Sequence, residues 1–271
     1  MEKIAIINLK GGVGKSVTTC NVSVLLAKAT GGERSCLVID LDKQANTTKF
    51  FNRLDYDHPA VDQVMLYPNT ALSCIRDTDF PGVDLMPANM RLLSANRQVL
   101  IDCTQRQQDR LQRALAHPDI RDTYRWCLMD CPPDIDMTTI NALCAADWVI
   151  IPVDCDEWAL DGLREIVEQI EHVRDCFNPQ LKIMGCLVTR YSRTKYASDI
   201  VTQLKRTGLP VFHNGIRQAV AVAQSKAKHL TVGQFASQSP AAGDYRRLTQ
   251  EIVSIVDTSA AGTKEAYHGE V

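Results

Sequence analysis

The chain has 271 residues, 45% apolar and 23% charged, with 30 Lys/Arg against 32 Asp/Glu. That composition supports one large α/β domain or two small ones, and at this length roughly three quarters of the unfolded surface can be buried. No run approaches 18 consecutive apolar residues, which excludes a transmembrane helix, and a strand pattern starts at once, so no leader peptide is expected. The 10 cysteines lie in apolar runs or on helical faces without a C-x-x-C pair, so reduced thiols of a cytoplasmic protein are expected.

Apolar runs predict strands at residues 4–8, 35–39, 83–86, 126–129, 148–153, 182–188 and 209–212. Helical spacing predicts helices over 16–28, 105–116, 157–176, 197–207 and 241–256. This alternation implies an α/β fold, a mostly parallel twisted sheet with helices on both faces. No repeat or long linker divides it, so a single domain over 1–257 is expected. From Thr258 the tail is small and polar and is expected to fray.

The first strand runs into Lys10-Gly11-Gly12-Val13-Gly14-Lys15-Ser16, and from there Val17, Cys20, Val24 and Ala27 recur at helical spacing. A strand, a glycine loop and a helix in this succession make a phosphate cradle. The glycines let backbone N–H groups converge on phosphate oxygens, and the helix adds its positive dipole end. Lys15 is placed to reach the β- and γ-phosphates, and the Ser16 hydroxyl to ligate Mg²⁺. The nucleotide-binding set is therefore Lys10 through Val17. The spacing departs from G-x-x-x-x-G-K-[ST]. Leu9 stands at the first-glycine position, and a second lysine, Lys10, opens the loop.

Two further strands end in acids. Residues 37–39 run into Asp40-Leu41-Asp42, and residues 126–129 into Asp130-Cys131-Pro132-Pro133. An apolar strand closed by Asp behind a phosphate loop is a way to hold Mg²⁺ or position water. Asp40 and Asp130 complete the candidate site.

Charge is segregated. Between Lys182 and Lys228 stand nine Lys/Arg, among them Arg193 and Arg217, and one acid, Asp199, in a chain whose net charge is −2. Such an imbalance points to a polyanionic partner.

Together these segments resemble the ParA/MinD class of deviant phosphate-loop ATPases, and the ParA partition branch in particular. The resemblance rests on the loop from Lys10 to Ser16, on Asp40-Leu41-Asp42-Lys43-Gln44-Ala45-Asn46 and on Met129-Asp130-Cys131-Pro132-Pro133. Weaker matches follow at 151–153, 159–163, Ser192-Arg193-Thr194, Ile216-Arg217 and 239–245, all in family order. The resemblance implies an ATPase using ATP and Mg²⁺. Lys15 would bind phosphates, and Lys10 would reach across a nucleotide-sandwich homodimer to the partner's ATP. Ser16 would hold Mg²⁺, with Asp130 supporting it through water, and Asp40 would position the attacking water, also toward the metal. Arg193 and Arg217 match positions implicated in non-specific DNA binding. A ParB-like adaptor, a nucleoid location and a role in segregating a plasmid, chromosome or other cargo are likewise implied. His213-Asn214 replaces a Pro-Arg pair common in the family.

A MinD-like membrane-associated positioning ATPase would share the nucleotide site but needs a basic amphipathic C-terminal helix. Residues 260–271 hold one Lys, two Glu and few large apolar residues, so no membrane partner is expected. An iron–sulfur carrier would need Cys131 and Cys155 in a glycine-rich context that is missing. A small-molecule kinase or synthetase would have to build its acceptor pocket from residues 46–110, which show no obvious pattern.

Overall fold

The structure, a computed structural model, describes residues 1–32, 34–155, 159–192 and 194–268. Seven strands form one sheet: β1 (Glu2–Ile6), β2 (Arg34–Asp40), β3 (Arg76–Asp77), β4 (Gly82–Met86), β5 (Trp126–Asp130), β6 (Trp148–Asp154) and β7 (Lys182–Thr189). Their spatial order is β3-β4-β2-β5-β1-β6-β7, and every pair is parallel except the edge pair β3–β4. Neighbouring strands β2, β5 and β1 therefore deliver Asp40, Asp130 and the glycine loop side by side at the carboxyl edge of the sheet. Ligands in open parallel sheets bind at that edge.

Strand alternation sends Ala5, Leu37, Ile39, Met129 and Ile151 to one face and Ile4, Ile6, Val38, Leu128 and Ile150 to the other. All ten are fully buried, the nine larger side chains contributing about 1.5–3 kcal/mol each. Burial on both faces is why these strands read as continuous apolar runs. Helix α1 (Lys15–Thr30) covers the second face together with the helix Pro240–His268. Glycines bound α1 at both ends: Gly14 at its start and Gly31 at its end, with φ of 89° and 73°. L side chains rarely adopt those values.

Several elements differ from expectation. Residues 209–212 form no strand. Val211 makes a single-residue bridge to Cys186, and Pro210 has no N–H with which to extend a ladder. β3 was not anticipated, because two residues are too few to show alternation. The helix expected over 105–116 begins only at Arg110 and ends at Leu115. Before it, Asp102 turns the chain by accepting from the Thr104 N–H and hydroxyl. The Arg110 guanidinium, fully buried, then ties Asp102 to the carbonyls of Met65 and Leu66. Of the helix expected over 157–176, Ala159–Cys176 is present and residues 157 and 158 lie outside the described residues. The last helix runs past Thr258 to His268, where a frayed tail was expected. Small residues such as Ala260 and Ala261 carry no stop signal, since alanine is the strongest helix former. All ten cysteines are free thiols. Among the described residues no helix is long and apolar enough to cross a membrane.

Candidate functional site

The glycine loop is shaped by backbone sign and by tethers to its neighbours. Gly12 and Gly14 have φ of 80° and 89°. A Cβ built on Gly11 or Gly12 would meet no protein atom, so the loop surface is open to a ligand, as a phosphate cradle requires. Asn8 anchors the loop: its Nδ2 donates to Pro152 O at 2.6 Å, and its Oδ1 accepts from the Lys10 N–H at 2.8 Å. From the other side, the Thr189 hydroxyl at the end of β7 donates to Val13 O at 2.9 Å. Arg190 pairs with buried Asp154 and lies 3.5 Å from Gly12 O.

Lys15 is buried, and its Nζ donates to Asn8 O (2.9 Å) and Lys10 O (3.0 Å). Burial lowers its pKa, opposed by the charges of Asp130, Cys131 and Asp42. The ammonium is thus curled back over the loop at the position from which it would swing to a phosphate. Lys10 itself is exposed at the mouth of the loop.

Asp40 and Asp130 are register partners on β2 and β5, and both are fully buried. Burial pushes both carboxyls above the usual carboxylate range, and for Asp40 the charge of Asp130 adds to the effect. The Thr47 hydrogen bond, the nearby Ser16 hydroxyl and then the Lys15 charge pull Asp130 back down. A short helix, α2 (Asn46–Phe50), supplies the donors. Thr47 Oγ1 donates to Asp130 Oδ2 at 2.7 Å. The Thr48 N–H and hydroxyl both donate to Asp40 Oδ2, at 2.8 and 2.7 Å. Asp130 Oδ1 is buried with no hydrogen-bond partner. An unsatisfied anionic oxygen costs several kcal/mol on the order of a lost charged hydrogen bond, and here it stands beside Ser16 and Lys15. That donor set suits a hydrated Mg²⁺, a hard cation that keeps its waters and is reached through one or two carboxylates.

The structure thus brings Lys10 through Val17, Asp40 and Asp130 to one edge. Sequence reasoning missed Asn8, Thr48, Thr189 and Arg190. Thr48 had a local signal, a second hydroxyl directly after Asn46-Thr47; Thr189 and Arg190 had none, because their tie to the loop spans about 176 residues.

Arg193 lies outside the described residues. Arg217 is half-buried, with Nε and Nη2 on Asp244 Oδ2 and Oδ1 at 2.6 and 2.8 Å. Arg247 Nη2 shares Asp244 Oδ1 at 2.5 Å. These groups line a cavity of about 720 Å³ with Val188, Tyr191 and Phe212. Val188 and Tyr191 flank in sequence the two residues that contact the glycine loop, Thr189 and Arg190. Lys195, Lys205, Arg206, Lys226 and Lys228 of the basic stretch are exposed.

A parallel sheet whose central strands end in a phosphate loop and two carboxylates defines a P-loop nucleoside triphosphatase. Comparison with known proteins narrows the class. A family profile described as an AAA domain matches residues 1–183. The chromosome-partitioning ATPase Soj of Thermus thermophilus is 33% identical, covering 94% of this chain and 97% of its own. The chromosome partitioning protein ParA of Caulobacter vibrioides is 32% identical, covering 94% of each. Among solved structures, cobyrinic acid a,c-diamide synthase from Mycobacterium smegmatis, with bound ATP analog and magnesium, superposes with a TM-score of 0.81. It is 29% identical and covers 93% of this chain and 94% of its own. The chain belongs to the ParA family of P-loop ATPases.

Proposed function

We infer that this protein is a partition-type ATPase that binds ATP with Mg²⁺, pairs through its nucleotide faces and, as a dimer, holds DNA without sequence preference. The carrying observation is the convergence of Lys10, Lys15, Ser16, Asp40 and Asp130 at one sheet edge, in a chain about one-third identical to two partition ATPases along nearly its whole length. Lys15 leaves its two carbonyls for the phosphates, and the loop N–H groups hold them. Ser16 and the unsatisfied Oδ1 of Asp130 would hold a hydrated Mg²⁺, which would supply charge neutralisation at the transferring phosphoryl. Asp40 orients the attacking water. Lys10, at the mouth of the loop, completes the charge stabilisation in a facing subunit, so turnover depends on dimerisation.

The exposed lysines and arginines of the basic stretch, with Arg193 and Arg217, supply phosphate contacts that a dimer doubles. A ParB-like adaptor links the nucleoid-bound dimer to its cargo. The test is direct. Asp40→Ala with ATP should give a dimer by light scattering that retards random DNA, whereas ADP should give neither; a monomer under saturating ATP would refute the reading.

A further inference from the structure

We propose that Thr48 is a positioning residue that aims Asp40, so that Oδ1 is the oxygen presented to the reacting water. This inference rests on the reading of Asp40 as the water-orienting carboxylate. A threonine hydroxyl has one proton and two acceptor lone pairs. The Ala88 N–H, from the segment after β4, donates to Thr48 Oγ1 at 2.9 Å. That contact leaves the hydroxyl proton for Asp40 Oδ2, which already accepts the N–H of the same residue. Oδ2 is therefore held by a two-pronged fork from one residue. Oδ1 accepts only the Asp42 N–H, at 3.1 Å, and retains acceptor capacity.

The neighbouring carboxylate repeats the arrangement. Thr47 binds Asp130 Oδ2, and Oδ1 is the oxygen without a partner. Consecutive threonines on one short helix thus tie down one oxygen of each acid and turn the other toward the site. Thr48, Ala88 and Asp40 are all buried, so water cannot replace a lost donor cheaply. The relay Ala88–Thr48–Asp40 ties the carboxylate at the end of β2 to the segment that follows its neighbour β4. A misplacement of about 1 Å in such a group costs on the order of 100-fold in rate.

The experiment measures ATP turnover and equilibrium binding of a fluorescent ATP analogue for Thr48→Val, Thr48→Cys, Thr48→Ser and Asp40→Asn. Valine keeps the shape and removes the donor; cysteine offers a weak donor should valine fail to fold. Expected results are a roughly 10- to 100-fold lower kcat for valine, a smaller loss for cysteine, near-normal kcat for serine, and analogue affinity within about twofold in all three. A folded valine or cysteine variant with unchanged kcat overturns the proposal for Thr48. If Asp40→Asn also turns over normally, the role of Asp40 itself fails; if it is inactive, only Thr48 is acquitted.

Discussion

Asp40 and Asp130 sit opposite one another on adjacent parallel strands, and the Leu41 N–H that follows the first donates to the backbone carbonyl of the second at 2.9 Å. Two buried acids in such contact cannot both ionise without cost. The consequences can be measured without any substrate.

Burial raises the folded-state pKa of Asp40 to about 8 and of Asp130 to about 6, against about 3.9 unfolded. The folded chain therefore binds more protons than the unfolded one between pH 4 and 8, and its stability falls as pH rises through that window. Asp40→Asn removes the Asp40 share of the effect and leaves that of buried Asp130. In EDTA and without nucleotide it should be more stable than the parent at pH 8, by on the order of 1–3 kcal/mol. The gap should close toward pH 5 in urea titrations at each pH.

Ala45 caps the start of α2 with φ of 54°, a left-handed value costly for alanine. Ala45→Gly relieves strain of about 1–2 kcal/mol and adds unfolded-state entropy worth about half of that. A net gain of about 0.5–1 kcal/mol in chemical denaturation is expected.

Lys15→Ala removes the only side-chain cation buried in the loop. Loss of such a phosphate donor should weaken ATP-analogue binding by roughly 100-fold or more, read by fluorescence titration. Circular dichroism should be unchanged, because Lys15 is the first residue of α1, where alanine is compatible with the helix.

Arg217→Ala should cost stability as well as DNA binding. Asp244 is 2% exposed and would keep Arg247 and the backbone N–H of residue 217. Stripping one partner from a buried charge costs about 3–5 kcal/mol, less here because Arg217 is partly exposed. Arg193→Ala is the cleaner probe of the DNA face. Retardation of random DNA should drop and its salt dependence should flatten, with ATP-driven dimerisation intact by light scattering.

The sheet and the strand-end acids were legible because each rests on contiguous residues: an apolar run buried on both faces, then Asp, or glycines, then Lys-Ser. What escaped reading depends on distant pairs. Residues 209–212 look like a strand locally, and only their single bridge to Cys186 shows otherwise. Arg110 looks like a surface helix residue, yet its guanidinium is a buried clamp for carbonyls 44 and 45 positions earlier. Thr48 looks like one polar residue among several until Ala88 fixes the direction of its hydroxyl. The clustering of Arg217 with Arg247 on one aspartate was invisible to charge counting, which sums signs without pairing them.

The grip of Thr189 on Val13 has a consequence for biosynthesis. The glycine loop emerges from the ribosome well before the strand that steadies it, because 176 residues separate Val13 from Thr189. A nascent polypeptide halted before Lys182 carries the loop without that brace, so tight triphosphate capture waits for the arrival of β7.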